Sequence, residues 1–228
     1  MPAAPRTARR RSRPPLTPAG IVQAALDLAA ERGDFSMRAL GQRLGVDPMA
    51  VYRHFADKNA LLDAMLDAAL ADFHPPASGE GPEAGDTLQA LRRMARDFRA
   101  ALLRHPGMAE RVAMNRPATG PHTLELAEAT LSKLFKLGLE ARDAITGFEA
   151  LVQLISGFVR AEEPVHARKE GGERAWLADM QAAYSAVPAD RFPHVARMAA
   201  QMPEQTLDHQ FEYAVDLLLE SLARRART

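Results

Sequence analysis

The chain has 228 residues, 47% hydrophobic and 25% charged, a globular composition with material for one or two domains. It holds no cysteine, so a disulfide framework is excluded. No run reaches the roughly 18 apolar residues of a membrane-spanning helix, and the N-terminus MPAAPRTARRRSRPP lacks the apolar segment of a secretory signal, so a cytoplasmic protein with no membrane partner is expected.

The zero net charge hides an asymmetry. The first 16 residues carry Arg6, Arg9, Arg10, Arg11 and Arg13 and no acid, residues 17–60 balance, and the remainder is acidic. Residues 1–15 therefore read as a basic disordered arm, either a solubilising tail or a contact for an anionic partner.

The rest of the pattern is helical. Ile21, Ala24, Ala25, Leu28 and Ala29 make one helix face, with Thr17 as its cap, Pro18 in its first turn and Gly33 at its end. Ser36 caps a short second helix that buries Leu40 and Leu44 and stops at Gly45. Asp47 followed by Pro48 opens a third helix of about two turns, Pro48–Phe55. Asp57 caps a fourth, with Leu62, Met65, Leu66 and Ala69 on one face. HPPASGEGPEAG, residues 74–85, reads as a linker. Beyond it, stripes at Met94–Leu102, Leu124–Phe135, Ile145–Val159, Trp176–Val187 and Phe211–Leu222 build a larger bundle. The fold class is all-α: a helical unit over 16–73 and a larger helical domain over 86–228, with no strand alternation or hairpin signal.

The second and third helices, joined by a tight turn at Gly45–Asp47, fit a helix-turn-helix. On a wheel, Val51 and Phe55 form the core side of the third helix. Met49, Ala50 and Arg53 lie opposite, with Tyr52 and His54 at the edges. An arginine beside small apolar side chains suits base edges in a major groove, and the two rings suit phosphates. Lys58, in the first turn of the next helix, is a candidate phosphate clamp where the helix already presents free N–H groups. Arg38 is a second basic candidate.

LTPAGIVQAALDLAAERGDFSMRALGQRLGVDPMAVYRHFADKNALLDAML, residues 16–66, closely resembles the DNA-binding domain of TetR-type transcriptional regulators, most specifically at VYRHFADKNALL. The resemblance implies that Tyr52, His54 and Lys58 touch the DNA backbone and that Met49, Ala50 and Arg53 face bases. Ser36 and Arg38 would approach from the second helix, and Pro48 opens the reading helix. Gly41 departs from the family's pattern and should weaken the second helix by roughly 0.5–1 kcal/mol relative to alanine. RHPGMAERVAMNRP, KLGLEARDAITGFEALVQLISGF and FEYAVDLLLESL resemble the regulatory domain of the tetracycline-repressor subgroup.

In that family the body dimerises and holds an effector. Two broad apolar stripes are the expected dimer seam: Phe148, Val152, Ile155 and Val159, and Phe211, Val215, Leu218 and Leu222. The alternative is that both are buried within one subunit. Met94, Phe98, His105, Phe148, Trp176 and Met180 are candidates for an effector cage, or core residues. By resemblance, His74, Phe98 and Phe148 fall where tetracycline repressors contact drug. Their magnesium-binding histidine should fall just before Asn115–Arg116–Pro117, where Val112 and Ala113 stand instead. An apolar or aromatic small molecule, without metal or cofactor, is the expected effector. EEPVHARKEGGE, residues 162–173, reads as a solvated connection.

The chain has no HExxH, GxSxG or phosphate-cradling glycine loop, which argues against an enzyme. The expected partners are an operator in double-stranded DNA, a second copy of the chain and a small-molecule effector. A constitutive architectural DNA-binding protein is the alternative, although reading DNA needs only about the first 60 residues.

Overall fold

The computed structural model describes residues 15–33, 35–73, 84–114, 116–168, 171–202 and 205–226. The arginine-rich arm and His74 lie outside the described residues. Eleven helices and no strand occur among the described residues. The head comprises α1 (Pro18–Arg32), α2 (Met37–Leu44), α3 (Pro48–Tyr52) and α4 (Lys58–Ala69). The body comprises α5 (Ala84–Arg104), α6 (Met108–Ala113), α7 (Pro121–Lys136), α8 (Ala141–His166), α9 (Gly172–Ser185), α10 (Pro193–Gln201) and α11 (Leu207–Arg225).

The head is punctuated by side-chain caps. Thr17 Oγ1 accepts from the Gly20 N–H at 3.1 Å, Ser36 Oγ from Ala39 at 3.1 Å, Asp47 Oδ1 from Met49 at 2.8 Å and Asp57 Oδ1 from Ala60 at 2.8 Å. Each satisfies an N–H that the helix itself cannot. Gly45 closes α2 at φ 58°, a left-handed conformation that glycine adopts without strain. The third helix is shorter than its sequence pattern predicts. It ends at Tyr52, and the His54 and Phe55 N–H groups both turn back to the Val51 carbonyl. On α4 the fully buried leucine is Leu61, and Leu62 is only half-buried.

Gly41 has a packing reason. A Cβ there would stand 3.0 Å from the Val46 carbonyl oxygen and 3.1 Å from Pro48 Cγ. Glycine lets α2 lie close against the turn and the start of α3, which offsets its helix-propensity cost.

In the body, α8 packs on α5, α6, α7, α9 and α11. By length and composition alone α8 could cross a membrane, but it runs through the middle of the bundle and buries Ala144, Leu151, Ile155 and Val159 there. Its C-terminal part corrects the reading of residues 162–173 as a solvated connection. Residues 162–166 are helical through Pro164, and Glu162 is fully buried. Glu162 receives the Arg99 guanidinium at 2.9 Å, and Arg99 also reaches Asp208 at 2.7 Å and lies 4.7 Å over the Phe211 ring. This ties α5, α8 and α11 together, and burial pushes the Glu162 carboxyl up despite its ion pair. One apolar core runs from Ile21 in α1 to Leu222 in α11, and α4 joins head to body by packing on α5, α6 and α7.

Candidate nucleic-acid interface and ligand cavity

The short α3 is held by one fully buried side chain, Val51, with Phe55 packed beside it. Its outward side carries Met49, 66% exposed, Tyr52, 39% exposed, and Arg53 and His54, both exposed, with Ala50 and Pro48 partly covered. The structure thus brings together the side chains that the wheel predicts. The neighbouring carboxylates, Asp47 and Asp57, face helix N–H groups as caps. Ser36 and Arg38 are exposed at the start of α2. Lys58 is half-buried at the start of α4, its ammonium 4.9 Å over the Phe35 ring. Arg43 braces α2 to α1 through Glu31 at 2.7 Å, which fixes the frame behind the turn.

The helix that follows α3 is wired to the body. Asp63 of α4 accepts from the Arg111 guanidinium of α6. Arg111 is 1% exposed, and its remaining N–H groups reach the carbonyls of Arg116 and Pro117 at 3.5 and 3.4 Å. One turn on, Asp67 caps α7, accepting from the Thr123 N–H at 3.0 Å and its hydroxyl at 3.2 Å, with His122 Nδ1 at 3.0 Å. Burial raises the Asp67 carboxyl, but the bonds from Thr123 and His122 outweigh it and hold it below the ordinary range. Gly120 makes room for this cap, since a Cβ there would sit 2.2 Å from Asp67 Oδ1.

Behind these links lies a cavity of about 720 Å³, within the size range of small-molecule sites. Met94 and Phe98 of α5, Leu126 of α7, and Phe148, Leu151 and Ile155 of α8 form much of its wall. Leu66 and Leu70 of α4, Arg111 of α6 and Thr123 of α7 also line it, so the helices wired to the head are the cavity's own walls. Among the described residues, its lining holds one carboxylate, Glu149, and no histidine.

A family model described as bacterial regulatory proteins, tetR family, matches residues 21–65, and one described as tetracyclin repressor-like, C-terminal domain, matches residues 81–226. The chain belongs to the TetR family. The class A tetracycline repressor of transposon 1721 from Escherichia coli is 33% identical over 92% of both chains. The HTH-type transcriptional repressor DrrR1 of Streptomyces coeruleorubidus is 29% identical over 95% of this chain and 82% of its own. Among solved structures, ActR of Streptomyces coelicolor in complex with actinorhodin superposes with a TM-score of 0.79 at 25% identity, covering 93% of this chain and 99% of its own. A possible TetR family regulator from Streptomyces coelicolor A3(2) gives a TM-score of 0.75 at 33% identity, over 90% and 98%. TetR-family proteins are transcriptional regulators rather than enzymes, which sets the enzyme alternative aside.

Several sequence expectations for this TetR-family body need correction. Met94, Phe98 and Phe148 do line the cavity, but Trp176 and Met180 do not. Both sit half-buried on α9, which packs on α10 and α8. His105 is also outside the lining, at the α5–α6 turn, where burial and the Arg104 charge lower its pKa. The expected dimer seam is mostly interior: Ile155, Val159, Phe211, Val215 and Leu222 are buried within one chain. Phe148, Val152 and Leu218 are half-buried, the first two in the cavity wall. The sequence reading missed Arg111, Asp63 and Asp67. The one signal available was the repulsive pair of carboxylates four residues apart on α4, which implies outside partners.

Proposed function

We propose that the chain is a homodimeric repressor, held on a palindromic operator and released by a small apolar or aromatic effector. The observation that carries this reading is the Arg111–Asp63 pair. One fully buried guanidinium is both wall of the ligand cavity and fastening of the helix that follows the reading helix.

The chemistry runs from that pair in both directions. Arg53, Met49 and Ala50 face base edges, while Tyr52, His54, Lys58, Ser36 and Arg38 set register on phosphates. An effector that fits the cavity better when α6 and the start of α7 have shifted moves Asp63 and Asp67 with them. The head then leaves its DNA-bound spacing, and by reciprocity the operator weakens the effector. The named tetracycline repressors, and ActR with its bound actinorhodin, support a ligand-responsive body.

Two heads at fixed spacing need a dimer. The available face is the side of α8 bearing Ala150, Leu154, Gly157 and Ala161, together with Leu217 and Leu218 of α11. Ala150 and Leu218 line one groove. A regulator of this kind works in the cytoplasm. The test is to pull down genomic fragments with the purified protein at physiological salt and sequence them. A few fragments sharing a palindrome support the reading. Diffuse recovery with steep salt dependence supports architectural binding and sinks it.

A further inference from the structure

All the sulfur in this chain is thioether: the sequence holds ten methionines and no cysteine. Oxidation of its sulfur therefore falls on methionine and begins where solvent reaches it. Access differs widely. Met65, Met94 and Met108 are buried, Met114 and Met198 of the body are 45% and 43% exposed, and Met49 of α3 is 66% exposed, the most open methionine among the described residues. Its backbone is held from two sides. The Met49 N–H donates to Asp47 Oδ1 at 2.8 Å, and Val51, two residues on, is fully buried. The thioether therefore stays on the outward side of α3, with Arg53, where base edges are proposed to lie.

A peroxide changes what that side chain can do. Hydrogen peroxide transfers one oxygen to Sδ. The S–O bond forms as the O–O bond breaks, sulfur gives up two electrons, and the transferred oxygen's proton passes to the departing hydroxide, which leaves as water. A soft apolar tip becomes a strong acceptor that has no donor. In a major groove, thymine presents a methyl group and O4, and guanine presents N7 and O6. The thioether packs on the methyl. A sulfoxide oxygen set against O4, O6 or N7 places acceptor on acceptor and gives up its water without return. The fold of the free protein is indifferent to this change, because two-thirds of the side chain is in solvent.

We propose that Met49 is a redox-modification site: peroxide oxidation of its thioether to the sulfoxide loosens the head from its operator, and enzymatic reduction restores the grip. The head thereby gains an input separate from the cavity. The inference rests on the proposed DNA-reading face. By reciprocity, DNA in place shields the sulfur, so the modification acts on the free protein.

The full chain is treated with hydrogen peroxide, with and without a duplex carrying the palindrome recovered in the fragment pull-down. Peptide mass mapping locates the sulfoxides, and anisotropy gives the affinity. Met49 should gain one oxygen ahead of Met114 and Met198, and the duplex should protect Met49 and leave those two reactive. Operator affinity should fall about tenfold or more, the scale of one unpaired acceptor, with thermal unfolding unchanged. Methionine sulfoxide reductases for both epimers should restore it. Met49→Leu should keep its affinity through the treatment, while a variant carrying Met114→Leu and Met198→Leu should lose it as the wild type does. Unchanged affinity with Met49 oxidised overturns the inference. So does a Met49→Leu chain that loses affinity as the wild type does, or a loss that the reductases do not reverse. If the untreated chain recovers no palindromic fragment, the operator reading itself fails and takes the inference with it.

Discussion

Removing either partner of the Arg111–Asp63 pair should have unequal consequences, because the partners differ in burial. Arg111 is 1% exposed, while the Asp63 side chain keeps 34% of its surface. Asp63→Ala leaves a guanidinium in the interior with only two long contacts to carbonyls. Breaking a fully buried pair costs about 3–5 kcal/mol. Water reaches the Asp63 side, so the expected cost is about 2–3 kcal/mol, or roughly 4–12 °C in Tm for a chain of this size. Arg111→Met removes the interior charge and fills much of its volume, and the freed Asp63 rehydrates. Its cost should be about 1 kcal/mol. The double variant should be more stable than Asp63→Ala alone. Guanidinium chloride unfolding at one fixed protomer concentration, with equal m-values across variants, measures this. An Arg111→Met variant less stable than Asp63→Ala would refute the argument. So would a double variant whose cost is the sum of the two singles.

The other expectations follow from neighbouring sites. Arg53→Ala should relax base preference and cost about 1–3 kcal/mol of operator binding, whereas Lys58→Ala should weaken all sequences alike and flatten the salt slope; anisotropy titrations against matched and scrambled DNA separate them. Gly120→Ala should displace Asp67 from the α7 N-terminus and cost about 1–3 kcal/mol, read by thermal unfolding. Because Asp67 is held below its ordinary value near 3.9, its stabilisation is complete above about pH 4 and is lost as pH falls through the lower folded-state value; Asp67→Asn should flatten the acid limb of stability against pH. His105 is lowered too, so a penalty should set in as pH falls below about 6.5, and His105→Gln should remove it. Gly157→Arg meets open space within one chain, so it should leave folding intact and yield monomers in sedimentation if α8 carries the dimer contact.

The head was legible from sequence because its information is local. A cap, a proline at the first helical position and a glycine beyond the last are read within a few residues, and Thr17, Ser36, Asp47 and Asp57 all cap as their positions predict. The exposed side of α3 follows from the same short-range logic, since Val51 and Phe55 together fix which way the turn faces. Periodicity also separates helix from strand, so the all-α class needed no coordinates.

Burial against what is a different question, and only the tertiary structure answers it. Ile155 and Phe211 sit on broad apolar stripes that fit a dimer seam or a subunit interior equally well, and both are core, because hydrophobic periodicity records that a face is covered and not by which chain. Glu162 lies in a stretch that composition reads as loop, and Arg99, 63 residues away in sequence, makes it interior. Trp176 and Phe98 look equally suited to a cavity, but α9 carries one away from it and α5 turns the other into it. The Arg111–Asp63 link, 48 residues apart, has no local signature at all. An ion pair between helices exists only once the chain has brought them together. The side chains proposed to read DNA were therefore written locally, and the proposed link from reading to ligand was decided by packing.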